Sequence, residues 1–230
     1  MKPIKSLGWS HIEPIPRKSE SDDFHGVDAR LTGAEIGFDY TPRNDRSFDD
    51  TITHRRTRTQ LKAAKSEEYF SLVRDVFRIR LIDYASTRRK VKKTFPASGG
   101  LHVIFPVIWS DGGFSFYDDQ KDAFFELNAQ DYEAAKFEID RIRESYSELD
   151  SAVVIFVGNR INIENFYENP YTLLLRDAGA VLHQFGLETE ARGLSSRPIG
   201  MLCDQTINSV FGGDCFVGLG GSFVGATANG

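Results

Sequence analysis

The chain has 230 residues, of which 40% are hydrophobic and 27% charged, and it carries a formal charge of −5 at pH 7. These proportions are those of one folded globular domain with at most an appended arm, and they exclude disordered, collagen-like and disulfide-scaffold classes. The longest apolar runs, such as residues 152–157, fall far short of the roughly 20 residues that cross a bilayer, so no membrane association is expected.

Residues 1–9 carry lysines with no apolar run behind them, which argues against a secretory signal and for a cytoplasmic protein. Cys203 and Cys215 are then expected to be thiols, and no His/Cys cluster has metal-ligand spacing. The charge is unevenly placed: residues 41–93 hold 15 of the 28 Lys and Arg but only 7 of the 33 Asp and Glu. A basic stretch inside an acidic chain points to an anionic ligand, a phosphate or an acidic partner rather than to nucleic acid, which usually brings a basic whole domain. For residues 88–93 alone, a solvated helix face explains the charge as well.

Residues 1–50 contain Pro3, Pro14, Pro16 and Pro42, mixed charges and little periodicity, and read as an irregular N-terminal arm that docks on or wraps a partner; residues 51–230 read as the domain. Tyr69, Leu72, Val73, Val76, Phe77 and Leu81 predict an amphipathic helix from 66 to about 84. A Gly-Gly loop at 95–101 leads into a strand over 103–109, which forms a hairpin with 114–118; Pro106 predicts an edge position or a bulge. A second helix is expected over 129–149, a buried strand over 152–157 and a third helix from Pro170 to about Arg192, stopped by Gly193. Residues 195–200 read as a loop before a short helix at 205–211 and a last strand at 215–220. This order fits an α+β domain with helices packed on a central sheet.

Three separated elements have the residue types to hold a phosphorylated planar cofactor. His54, Arg55, Arg56, Thr57 and Arg58 offer guanidinium forks and a hydroxyl, the set that binds a phosphate monoester through charge-assisted bonds; an exposed basic turn is the plain alternative. Ala97, Ser98, Gly99 and Gly100 allow backbone to approach a ring, or form a simple turn. Residues 193–200 could present amides to a ring's polar edge, or simply cap a helix. The glycines of 218–225 do not make a dinucleotide fingerprint, because Phe223 fills the third glycine position, and no Gly-x-Ser-x-Gly elbow supports a hydrolase.

Together and in this order, these elements resemble the nitroreductase-fold flavoproteins, most closely the SagB-type branch that includes azoline dehydrogenases, over residues 52–221. Arg55-Arg56-Thr57 resembles the family's Arg-Arg-Ser/Thr opening, and Pro96-Ala97-Ser98-Gly99-Gly100-Leu101-His102 its Pro-Ser-(Ala/Gly)-Gly-Gly-Leu-(Tyr/His)-Pro loop without the last proline. Residues 171–180 resemble the family helix aromatic-Arg-x-x-Leu-Leu-(Asp/Glu)-Ala-Gly-His, and 192–200 its Leu-Gly-Leu-x-x-x-x-Ile-Gly segment.

The resemblance implies a dimeric, nitroreductase-like α+β fold with a central antiparallel-rich sheet and FMN at the subunit interface. Arg55, Arg56 and Thr57 would hold the FMN phosphate, Ser98, Gly99 and Gly100 would line the isoalloxazine, and Ile199 and Gly200 would meet its polar edge. It further implies oxidation of thiazoline or oxazoline rings in a modified precursor peptide, beside a cyclodehydratase or other synthetase subunits.

Two departures qualify this expectation. The family's Lys-Tyr pair, which removes a proton, falls on Asn165 and Phe166, leaving Tyr167, Glu168, Tyr171 or a partner residue to act; Ala180 replaces the family histidine, with His183 one turn later. Tyr167, Tyr171 and His183 are therefore the catalytic candidates, histidine being the side-chain type that exchanges protons near neutral pH. His102 is a weaker candidate. The alternatives are another FMN reaction, either desaturation of an amino acid or cyclic peptide or NAD(P)H-driven reduction, and a flavin-free scaffold subunit of a synthetase.

Overall fold

The computed structural model describes residues 14–16, 26–44, 46–83, 90–146 and 151–227. In chain order these form β1 (Ile15–Pro16), β2 (Thr32–Ile36), α1 (Phe48–His54), β3 (Leu61–Lys62), α2 (Ser66–Phe77), β4 (Leu81–Asp83) and β5 (Lys90–Lys92). A 3-10 turn at Ser98–Gly100 precedes β6 (Ile104–Ser110), β7 (Gly113–Asp118), β8 (Ala123–Leu127), α3 (Tyr132–Glu144) and β9 (Ala152–Asn159). The chain continues through α4 (Arg160–Glu164), β10 (Tyr167–Glu168), α5 (Tyr171–Ala191), β11 (Ser195–Ile199), α6 (Asp204–Phe211) and β12 (Phe216–Thr227).

One antiparallel sheet runs β11-β12-β9-β6-β7-β8-β2, with β3 pairing the end of β12. Strand β9 lies inside it, and every one of its residues is buried. Alternation along the strand sends Val154 and Phe156 to one core and Val153, Ile155 and Val157 to the other. Each such side chain contributes about 1.5–3 kcal/mol on burial.

The first core is completed by α2 through Leu72, Val73 and Val76 and by α5 through Leu174, Val181 and Phe185. The second is completed by α3 through Ala135, Ile139 and Ile142 and by α6 through Ile207 and Val210. Helices therefore cover both faces of the sheet, and each has the three-and-four spacing that such a face requires. Asp131 starts α3 by accepting the Ala134 N–H through its side chain.

Several expectations need correction. Helix α2 ends at Phe77, because Arg78 takes extended backbone angles (φ −60°, ψ 146°) and the chain turns into β4, where Leu81 pairs with Lys92. Strand β6 is interior, between β9 and β7; Pro106 is tolerated there because the ladder with β7 begins only at Val107. Residues 195–199 form edge strand β11 rather than a loop, and an edge accommodates Pro198. Helix α3 is shorter than 129–149; Leu149, like Tyr84, Arg88 and Arg89, lies outside the described residues.

The last strand extends to Thr227, and its glycines have a packing role. A Cβ at Gly221 would overlap the Val154 carbonyl oxygen, so glycine lets β12 pass close to β9. Parts of the expected arm also join the fold: β2 pairs with β8, and Tyr40 and Thr41 bond to α2 through Asp75 (2.8 Å) and Ser71 (2.8 Å). No helix among the described residues is long and apolar enough to cross a membrane.

Candidate functional site

Helix α1 is capped by Ser47, whose hydroxyl accepts the Asp50 N–H, and ends at His54, so the next residues leave it as extended chain. Thr57 then forms a parallel bridge with Ser196 of β11, and the Arg197 guanidinium donates to the Thr59 carbonyl at 3.3 Å. This brings Arg55, Arg56 and Thr57 beside α5, where Gly179, Leu182, His183 and Gly186 recur at helical spacing on one face. Between them lies a cleft of about 250 Å³, also bordered by Ser196, Pro198 and Ser222.

Arg55 and Arg56 are exposed and pair with no carboxylate among the described residues, and the Arg58 Nε is buried without a hydrogen-bond partner. Two uncommitted guanidinium groups and a hydroxyl at a cleft mouth fit a phosphate monoester, which brings the charge they lack. The residue types and their placement thus suit the phosphate end of FMN.

A second cluster surrounds the glycine turn. Ser98 donates its backbone N–H and its hydroxyl to the two carboxylate oxygens of Asp177 on α5, both at 2.9 Å. Burial raises the Asp177 carboxyl above its ordinary range, opposed by those two bonds and by Arg176. Gly99 has φ +62°, and a Cβ there would lie 2.9 Å from the Tyr167 hydroxyl oxygen. Tyr167 therefore sits directly against the turn, and glycine is needed both for the left-handed backbone and for the space.

The remaining candidates lie elsewhere. Tyr171, 46% exposed at the start of α5, borders a separate cleft of about 240 Å³ with Arg160 and Glu164. The Ile199 side chain is in the second core while its backbone pairs with Gly221, and the Gly200 N–H donates to the Tyr146 hydroxyl at 3.1 Å. Phe166 is a core residue and Asn165 ends α4.

Sequence reasoning did not single out Asp177. Its signal was a lone acid among Leu173, Leu174, Ala178 and Val181 on the buried side of α5. A larger cavity of about 500 Å³ has no signal in the sequence; it lies between the start of β6, the end of β7 and residues of the 26–32 segment, with His102 in its wall. Burial and the neighbouring Lys93 charge lower the His102 imidazole to about 4, against Asp119 and a bond to the Val91 backbone.

No family model matches the chain, and no curated protein matches it. Among solved structures it is similar to a protein from Ralstonia eutropha JMP134 described as a nitroreductase, with TM-score 0.63 and 15% identity over 90% of this chain and 100% of that one. It is also similar to a protein from Staphylococcus epidermidis described as an NAD(P)H:FMN oxidoreductase (TM-score 0.55, 14% identity, 84% and 92% covered). A third is described as an NADH oxidase from Clostridium acetobutylicum (TM-score 0.52, 12% identity, 79% and 89% covered). The chain has a nitroreductase-like fold, mixed α+β with a large antiparallel sheet.

Proposed function

We propose that this chain is an FMN-dependent oxidoreductase that oxidises thiazoline or oxazoline rings of a modified precursor peptide to thiazole or oxazole. The observation that carries the flavin reading is the pair of uncommitted guanidinium groups, Arg55 and Arg56, converging with Thr57 on a cleft beside α5. The azoline reading rests on the resemblance of the Ser98–Gly100 turn and of α5 to the SagB-type pattern.

When bound, FMN supplies the two-electron redox chemistry. The chain's own part is to hold the phosphate with Arg55, Arg56 and Thr57 and to offer the Ser98–Gly100 turn to the ring. Oxidation of an azoline removes two hydrogens, one of them as a proton, which needs an acceptor or relay beside the ring. Tyr167, whose hydroxyl lies against the turn, is assigned that relay. His183 borders the arginine cleft and Tyr171 a different one, which supports them less.

A second copy of the chain belongs to the proposal. Phe48 and Ile52 on α1 and Tyr171 and Leu175 on α5 are large apolar side chains left exposed, on two helices that pack together beside the arginines. A homodimer covering them would close the cleft. Docking on a cyclodehydratase or another synthetase subunit remains part of the same reading.

The burial of Phe166 and the absence of a base at Asn165 favour a second reading, in which the flavin serves an NAD(P)H-driven reductase or a desaturase. One experiment separates the two. Protein loaded with FMN is given an azoline-containing peptide or NADPH; loss of two hydrogens from the peptide supports the dehydrogenase, and bleaching of the flavin band by NADPH with an unchanged peptide overturns it in favour of the reductase.

A further inference from the structure

The glycine turn holds a more specific message about how it addresses a ring. Three of its backbone donors are already used: Ser98 N–H bonds Asp177, Gly100 N–H bonds the Ala97 carbonyl at 3.0 Å, and Leu101 N–H bonds the Ser98 carbonyl at 3.2 Å. The Ser98 hydroxyl proton is also used, because a carboxylate accepts only and Asp177 takes that proton at 2.9 Å. What Ser98 retains toward a bound molecule is the pair of lone pairs on Oγ, in a residue that is only partly buried.

We infer that Asp177 is a positioning residue that makes Ser98 a hydrogen-bond acceptor toward the cofactor, so that this side chain addresses a donor group of the ring. This rests on the flavin reading above. On the oxidised isoalloxazine the only ring N–H is N3–H, and this is the group such an acceptor would bind. Asp177 acts through Ser98 rather than on the ring: a carboxylate held between α5 and the turn fixes both the turn's backbone and the direction in which its hydroxyl points. Gly99, pressed beneath the Tyr167 hydroxyl, fixes the other side of the same turn.

The test compares the affinity for FMN with that for 3-methyl-FMN, which lacks the N3–H, by quenching of flavin fluorescence. Wild type is expected to favour FMN by about tenfold, the size of one hydrogen bond. In Asp177→Asn the amide oxygen can still accept the Ser98 N–H, while the amide N–H donates to Oγ and releases the hydroxyl proton outward. That variant should lose FMN affinity, keep its 3-methyl-FMN affinity and bring the ratio towards one. Ser98→Ala should do the same while sparing the fold, since it removes only one hydroxyl from a partly exposed site. A purely structural role would weaken both flavins alike, and an unchanged ratio in both variants overturns the inference. Wild type that binds neither flavin overturns the flavin reading, and this inference with it.

Discussion

Arg192, at the end of α5, forms an ion pair with Asp75 in the last turn of α2, and both side chains are almost completely withdrawn from water, at 3% and 6% exposure. The same guanidinium donates to the Thr41 carbonyl at 2.6 Å, and the Tyr40 hydroxyl donates to Asp75 at 2.8 Å. One buried pair thus ties residues 40–41 to both helices of the first core. Removing one partner leaves the other buried charge with only a longer ion contact, Asp75 to Arg78 at 3.5 Å or Arg192 to Glu188 at 3.6 Å, so Asp75→Ala or Arg192→Ala should each be strongly destabilising, by up to about 3–5 kcal/mol. Replacing both by apolar residues of similar volume should restore much of the loss, which thermal unfolding of the three variants would measure.

The exposed arginines should behave in the opposite way. Arg55→Ala/Arg56→Ala removes two guanidinium groups that support nothing else among the described residues. FMN affinity should fall by roughly 100-fold or more, because each charge-assisted bond contributes about 1.5–3 kcal/mol. The melting temperature of the flavin-free protein should stay within about 1 °C of wild type. Equal loss of both would mean that the arginines are structural.

Gly99→Ala should be destabilising for two separable reasons. The left-handed backbone costs a side-chain-bearing residue about 1–2 kcal/mol, and the new methyl group meets the Tyr167 oxygen at 2.9 Å. Tyr167→Phe alone should be mild, and in the double variant it should recover the steric part but not the backbone part. Denaturant melts of the cycle give both numbers.

His102 predicts a pH dependence. Its folded value, about 4, lies below the ordinary 6.5 because it is buried near Lys93, with Asp119 and the Val91 carbonyl opposing. Between those two values the unfolded chain binds a proton that the folded chain refuses, so stability falls as pH drops from about 6.5 towards 4. The upper part of that window precedes most carboxylate titration. His102→Asn, which tolerates the left-handed backbone at φ 49°, should flatten the slope of unfolding free energy between pH 6.5 and 5.

Where a pattern was local, the sequence was legible. Helix α5 and strand β9 follow from helical spacing and from a short run of β-branched residues bounded by polar ends. The helical spacing overextends α2 because Leu81 continues it; periodicity cannot see that Leu81 leaves the core, 53% exposed, to pair with Lys92. Strand β11 was hidden by its Ser-Ser-Arg-Pro composition, since what makes it a strand is its pairing with β12. The site has the same division. The arginines and the glycine turn stand out as residue types, but Asp177 reaches Ser98 from 79 positions away, and the partners of residues 55–57 come from α5 and β11.

The central claim is that the chain holds FMN. The visible absorption spectrum of freshly purified protein, with any released chromophore identified by mass and with added FMN offered to colourless material, tests it most directly. The expected result is a bound flavin identified as FMN, either retained from the start or taken up on addition. Folded protein that is colourless and refuses added FMN would contradict it and leave the scaffold reading in its place.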